Sequence, residues 1–446
     1  MTNKVGISDI GLYLPYNSID VEHVAAMRSR ENGELTPHFH RALTTTGQRQ
    51  LRFPSAWEDT ATMAAEAARG LLLANPRLDL AALRFLTVGT ETTVDHAKPV
   101  SSYVQGMLLQ AGLPLPGSLS SFQVQHACAG GTLGLLSVAA MLEQGGRSGE
   151  FGVVVCSDVA RYESCSTAEI TQGAGSAALL VEASPRLLEL DLGTAGFCSK
   201  DVDDFFRPLD SVTARVKGTY SLKCYGESLE AAFLDHCRRL GEHPARVLEN
   251  TDLLVLHTPF HQLPEIVLLR LLNRVLGIGA EAGRDFLRRR GLYASTAPVA
   301  LVGNTYTASL YFCLAAVLED RYREQGAGIV GRSVLMASYG SGNTMVVASG
   351  RVASRAPEVI HGWAMERVLE TKGEAGWEEY RRWTDSGRGS GGIEEVESPN
   401  SHPSCYFLRR IREDGYREYG FRPPGSGGLV QESLHREVLE GIATPS

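Results

Sequence analysis

Phe122-Gln123-Val124-Gln125-His126-Ala127-Cys128-Ala129-Gly130-Gly131-Thr132 is the stretch on which the fold turns. It passes from strand-like residues into small ones, then into Leu133–Leu142, an apolar run of helical length. A strand, a tight small-residue turn and a buried helix in succession mark an α/β unit. Cys128 then stands near the start of the helix, where unpaired backbone N–H groups and the helix dipole favour a thiolate. Small neighbours leave room for an acyl group on the sulfur. Read alone, a cysteine in this place is more often a small buried hydrophobe, so the rest of the chain has to supply partners.

Four apolar runs supply the places to look. Leu83–Val88 leads into Gly89-Thr90-Glu91-Thr92, and Gly152–Cys156 into Ser157-Asp158. Leu253–Leu256 leads into His257-Thr258-Pro259, and Ser333–Ala337 into Ser338-Tyr339-Gly340-Ser341-Gly342. Each reads as a buried strand followed at once by small, polar or titratable residues. Open α/β folds place their sites beyond the carboxyl ends of strands. The tips fall two in each half of the chain, which suggests a duplicated architecture with one site between the halves, although no strong residue-level repeat is visible.

The bulk properties agree with a folded, largely buried chain. At 446 residues it exceeds one ordinary core. Hydrophobic residues make up 43% and charged residues 21%, which excludes disorder. A formal charge of −8 gives no general affinity for nucleic acid or anionic lipid, so an anionic substrate needs a local basic patch. No signal peptide and no membrane span is read. The eight cysteines are scattered without a C-x-x-C pair, as expected of reduced cytoplasmic thiols rather than a zinc site or a disulfide framework. The Gly-, Ser- and acid-rich stretch Asp385–Ser404 reads as an exposed loop or linker before a short closing element, Tyr406–Tyr419, and Pro423–Gly428 reads as equally loose.

A cysteine nucleophile needs a group that handles protons or polarises a carbonyl. His257, at the tip of an apolar strand, fits that need better than His126 or His261, which also suit structural hydrogen bonding. Asn304, ahead of another apolar helical run, is either a helix cap or a substrate contact. Glu91 is either a solvated carboxylate or, in a water-poor cleft beside an acylated cysteine, a base whose pKa burial raises. The Ser338–Gly342 turn has neither dinucleotide nor phosphate-loop spacing; its amides suit an oxyanion hole.

Taken in order, these segments resemble 3-hydroxy-3-methylglutaryl-CoA synthase, of the thiolase superfamily, from about Val5 to Gly350, with a weaker echo at Tyr406–Pro423. The resemblance rests on Thr90–Asp95, Ala127-Cys128, Ser157–Tyr162, Thr171–Gly175, His257–Phe260, Gly303–Tyr311 and Ser338–Gly342. It implies a thiolase-like five-layered αβαβα fold made of two similar halves, residues 1–182 and 183–446, the second ending in an extension from about residue 352. It also implies a homodimer with no metal and no cofactor, acetyl-CoA being a substrate. By the same resemblance, acetyl-CoA acylates Cys128 and Glu91 removes a methyl proton. The carbanion equivalent attacks an acetoacetyl thioester held by His257 and Asn304, and water releases the product. The amides of Cys128 and Ser341 are implied to hold an oxyanion, and Tyr162, Thr171 and Pro259 to contact substrate.

Four positions depart from the family pattern. Ala129 follows the nucleophile, His126 replaces an acid, Gln262 replaces a lysine that serves the CoA phosphates, and Asp203 replaces a tyrosine in Asp201–Phe205. His126 and Gln262 give weight to an alternative, a relative that branches a β-keto chain carried on an acyl-carrier protein. An initiating ketoacyl synthase needs no carboxylate base and is opposed by Glu91. An inert thiolase-like binding subunit is opposed by the intact Cys128, His257, Asn304 and Glu91.

Overall fold

The computed structural model describes residues 4–385, 404–423 and 434–435. The expected linker Asp385–Ser404, apart from its two end residues, lies outside the described residues, as does the expected loose segment Pro423–Gly428 apart from Pro423. Nine strands form one mixed sheet system. In chain order they are β1 (Val5–Tyr13), β2 (Leu83–Gly89), β3 (Ser120–Val124), β4 (Phe151–Ala160), β5 (Gly173–Ala183), β6 (Leu188–Ser199), β7 (Leu253–Leu256), β8 (Ser333–Gly340) and β9 (Thr344–Val352). Their spatial order is β7-β8-β9-β6-β1-β5-β4-β2-β3. Only Gly6↔Glu189 and Ile7↔Leu188 pair β1 with β6, so the system is two sheets joined along a short seam.

The duplication is one of topology. In the first sheet β1 pairs antiparallel with β5, β5 antiparallel with β4, and β4 parallel with β2. In the second, β6 pairs antiparallel with β9, β9 antiparallel with β8, and β8 parallel with β7. The helices repeat as well. The helix α1 (Thr60–Leu73) lies between β1 and β2 in the chain and covers β1, β4 and β5, with α2 (Val100–Gln110) beside it. The helix α4 (Gly218–Leu240) lies between β6 and β7 and covers β6, β8 and β9, with α5 (Leu263–Leu276) beside it. Between the sheets run α3 (Gly130–Gly145) and α6 (Ser309–Gln325), giving five α-β-α-β-α layers.

Burial explains why these strands read as unbroken apolar runs. On β4, Val153 and Val155 face α1 and α2, whereas Val154 and Cys156 face the central layer. On β7, Leu254 and Leu256 face α4 and α5, whereas Leu253 and Val255 face inward. A strand buried on both faces has no polar face to alternate with. The central core draws on β1, β5 and α3 from one half and on β7, β8 and α6 from the other.

Two strands run further than the sequence suggests. Ser157 and Asp158 lie inside β4, paired with Ser176 and Gly175 of β5, and Ser338–Gly340 lie inside β8. An antiparallel neighbour carries each ladder past the last apolar residue, so polarity did not end the strand. The closing element is a hairpin, Tyr406–Ile411 with Arg417–Phe421, and it packs on α1 and α2 of the first half. Among the described residues no helix is long and apolar enough to cross a membrane.

Candidate functional site

A cleft of about 750 Å3 opens where the ends of β4 and β7, the turn after β8 and the loop before α3 converge. Cys128, His257, Asn304, Ser341, Tyr162, Thr171 and Pro259 all line it. Glu91 joins them from the loop after β2, its Oε2 accepting a hydrogen bond from Cys128 Sγ at 3.5 Å. Cys128, Glu91, His257, Asn304, Ser341, Tyr162, Thr171 and Pro259 are thus brought to one place from separate segments of the chain, whereas His126 and His261 do not line the cleft.

Close backbone contacts set the turn that carries Cys128. Ala127, just ahead of it, has φ 41°, a left-handed conformation that costs a non-glycine residue about 1–3 kcal/mol and is sustained by surrounding contacts. Gly340 at the end of β8 lies against the same loop: a Cβ there would stand 2.4 Å from His126 O and 3.0 Å from Ala129 N. A side chain at that position would therefore force the Cys128 turn and the Ser341 turn apart. The N-terminus of α3 carries no side-chain cap.

The thiol is not in the state its helix position suggests. Burial, and then the Glu91 carboxylate beside it, push the Cys128 thiol well above its ordinary pKa. A dipole at a helix end is weaker than full desolvation plus a like-charged neighbour in a dry pocket, so the resting sulfur keeps its proton and donates it to Glu91. Burial raises Glu91 itself to about 7, against the downward pull of Arg207. Burial likewise lowers His257 to about 3, so it is a neutral imidazole, with Nδ1 lacking a hydrogen-bond partner among the described residues. Its carbonyl accepts from Tyr225 Oη at 2.8 Å.

Asn304 combines both expected parts. Its Oδ1 accepts from the Tyr306 N–H at 2.9 Å, capping the turn before α6, while Nδ2 donates to Tyr162 Oη at 3.4 Å. Its own N–H donates to Thr171 O at 3.0 Å. Tyr162, Phe205 and Tyr306 meet edge to face around Cys128, with ring centroids 5.8–6.4 Å apart. His261 is structural, its Nδ1 lying 3.1 Å from Thr296 O. Gln262 is exposed, and its Nε2 donates to Thr44 O at 3.1 Å.

Two residues of the site were given no part by the sequence. Asp158 Oδ1 accepts from the Oγ1 atoms of Thr90 and Thr92 and from the N–H groups of Glu91 and Thr92, at 2.7–3.1 Å. Its Oδ2 accepts from Thr307 N and Oγ1, so one buried carboxylate ties the Glu91 loop to the loop carrying Asn304. Arg207 reaches Glu91 from the loop of a small hairpin, Phe205–Phe206 with Arg215–Val216, donating to Oε1 at 2.9 Å and to the carbonyl at 2.6 Å. Asp158 was visible as part of a quoted segment. Arg207 sits two residues past Asp201–Phe205 and carries no local signal. Asp203, in place of the family's tyrosine, pairs with Lys217, whereas Asp204 anchors the hairpin to Tyr339 Oη and the Gly342 N–H. Among the described residues no group of His, Cys, Asp and Glu side chains is arranged to hold a metal.

This geometry suits covalent chemistry at sulfur with a carboxylate within reach of a sulfur-bound group. Comparison with known proteins agrees in family. The family model for the N-terminal part of hydroxymethylglutaryl-coenzyme A synthase matches residues 1–185, and that for its C-terminal part matches residues 281–422. The mitochondrial hydroxymethylglutaryl-CoA synthase of Rattus norvegicus is 26% identical over 465 residues, covering 94% of this chain and 84% of that protein. A structure of the curacin biosynthetic pathway HMG synthase in complex with holo donor-ACP has a TM-score of 0.79 over 94% of this chain and 100% of that one, and at 22% identity it shows the fold alone. A structure of MvaS in complex with 3-hydroxy-3-methylglutaryl coenzyme A superposes with a TM-score of 0.80 at 31% identity, over 95% of this chain and 100% of that one. With both family models matched in order and a relative above 30% identity spanning the architecture, the chain belongs to the hydroxymethylglutaryl-CoA synthase family.

Proposed function

We propose that the chain condenses a Cys128-bound acetyl group with acetoacetyl-CoA to give 3-hydroxy-3-methylglutaryl-CoA, the reaction of the mevalonate route to isoprenoids. The observation that carries this reading is the contact of Cys128 Sγ with Glu91 Oε2 in a cleft that also holds His257 and Asn304. Cys128 displaces CoA from acetyl-CoA and becomes a thioester. Glu91 then takes a proton from the acetyl methyl group, and the carbon left behind attacks the ketone of the acceptor. A neutral His257 suits this step: its ring N–H donates a hydrogen bond that polarises the ketone, and the new alkoxide takes up the proton that Glu91 removed from the methyl group. Asn304 Nδ2 and Tyr162 Oη orient the acceptor, and the Cys128 and Ser341 amides hold the thioester oxygen. Water cleaves the Cys128 thioester and frees the product. Thr171 and Pro259 complete the wall. The eight unpaired cysteines favour a reducing, cytoplasmic setting, and assembly as a homodimer follows the family resemblance.

A second reading has a specific observation behind it. Gln262 donates its amide to Thr44 O where the family pattern has a phosphate-binding lysine, so this position offers no positive charge to the CoA phosphates. The same residues would then act on a β-ketoacyl chain, with carriers such as the donor-ACP bound by the curacin synthase.

Intact-protein mass spectrometry separates the readings. Acetyl-CoA should add one acetyl group to the wild-type chain and none to Cys128→Ala, and acetoacetyl-CoA should clear it as product forms. Glu91→Ala should still be acetylated but condense about 100- to 10,000-fold more slowly. An adduct that clears only with an acetoacetyl carrier protein selects the second reading. Loss of acetylation in Glu91→Ala would remove the assigned division of labour.

A further inference from the structure

A carboxylate that is to act as a base in a dry pocket must stay ionised and must point one oxygen at its target. Glu91 is only 5% exposed in its side chain, and burial together with the Asp158 carboxylate of β4 opposes its charge. The Cys128 thiol, from the loop before α3, donates a hydrogen bond to it, and the Tyr162 and Tyr306 phenols stand in the cleft wall. Arg207 supplies the positive charge in contact with it.

The way Arg207 makes that contact is specific. Its Nη2 holds Glu91 Oε1 at 2.9 Å and its Nη1 holds the Glu91 carbonyl at 2.6 Å, so one guanidinium grips both the side chain and the main chain of the same residue. With both points held, the other oxygen, Oε2, is the one left facing Cys128 Sγ. The guanidinium is seated 5.7 Å from the Tyr306 ring centroid and 6.0 Å from that of Phe205. Its hairpin is tied down by Asp204, which accepts from Tyr339 Oη, Ser221 Oγ and the Gly342 N–H at 2.8–3.0 Å. A planar fork restricts orientation as well as charge, which a lysine ammonium does not.

We propose that Arg207 is the positioning residue of the base: it orients Glu91 so that Oε2 meets the sulfur-bound group, and its charge keeps that carboxylate ionised. The inference rests on the reading of Glu91 as the base, and it gives the small hairpin a part in the reaction. No covalent step is added, since Arg207 acts through Glu91 alone. The competing view is a buried ion pair that serves folding only.

Two measurements on the full chain decide between these. The first is alkylation of Cys128 by iodoacetamide across a pH series, read on the Cys128 peptide, which requires no turnover. Removing the cation with Arg207→Met should move the midpoint up by about one pH unit or more, while Arg207→Lys, which keeps the charge, should stay near wild type. The second is exchange of the acetyl methyl protons of the acetylated chain in heavy water. Arg207→Lys should slow it about a hundredfold because the fork is lost, with acetyl adduct formation preserved. An Arg207→Met midpoint equal to wild type overturns the charging role. Exchange in Arg207→Lys as fast as wild type overturns the orienting role. Should Arg207→Met fail to fold, the lysine variant still tests orientation. If wild type takes no acetyl group, the proposed reaction fails, while the alkylation midpoint still decides whether Arg207 controls the charge of the Cys128–Glu91 pair.

Discussion

Cys128 and Glu91 form a coupled pair in which burial raises both groups, so near neutrality the proton stays on sulfur while the carboxyl is close to half ionised. The sign of the resulting pH dependence follows from what a base must be. Only the ionised carboxylate removes a methyl proton, and its fraction grows with pH until the carboxyl is fully titrated. Methyl-proton exchange on the acetylated chain should therefore rise about tenfold per pH unit below the midpoint and level off above it. Acetylation removes the thiol that donates to Oε2, and a lost donor to the charged form raises a carboxyl pKa. The inflection should thus lie at or somewhat above about 7. An exchange rate independent of pH through this range would exclude Glu91 as the base. His257 behaves in the opposite way: burial holds it near 3, so its neutral form persists throughout and adds no inflection.

The strand ends and the turns that follow them carry the residues of the candidate site, and their mutual packing is tight around Cys128. Gly340 illustrates this. The Cβ of an alanine there would lie within 2.4 Å of a backbone carbonyl oxygen, which cannot swing aside as a flexible side chain does. Gly340→Ala should lower stability by about 1–3 kcal/mol, the usual range for overpacking, read as a shift in the denaturant midpoint. It should also separate the Cys128 and Ser341 turns and slow acetyl adduct formation. Wild-type stability and acetylation in that variant would show that the two turns do not depend on contact. Support from behind the cleft is equally concrete. Buried Arg28 pairs with Glu169 at 2.9 Å and with Asp385 of α7 (Trp377–Asp385) at 3.0 Å, which ties the cleft wall around Thr171 to a helix more than 200 residues further on.

At the scale of the molecule, two sheets of matching topology share one central layer, and neither half closes its core without the other. The piece ending at Ala183 and the piece beginning at Ser184 should each lack cooperative thermal unfolding when made alone and regain it when expressed together, followed by circular dichroism. Cooperative melting of either piece by itself would contradict a shared core. The two-half architecture was legible in the order of strand tips, and the family in the ordered set of segments around Glu91, Cys128, His257 and Asn304. Strand ends were less legible: antiparallel pairing, not polarity, stops β4 at Ala160 and β8 at Gly340. By itself the sequence determined the turn that presents Cys128, the strands buried on both faces and the set of candidate site residues, because local conformation and hydrophobic pattern are properties of neighbouring residues. Only the tertiary structure decided that the thiol is protonated, that His257 is neutral, that Asp158 joins two loops and that Arg207 grips Glu91. Desolvation and Coulomb forces act through space, and the residues that set them stand far apart in the chain.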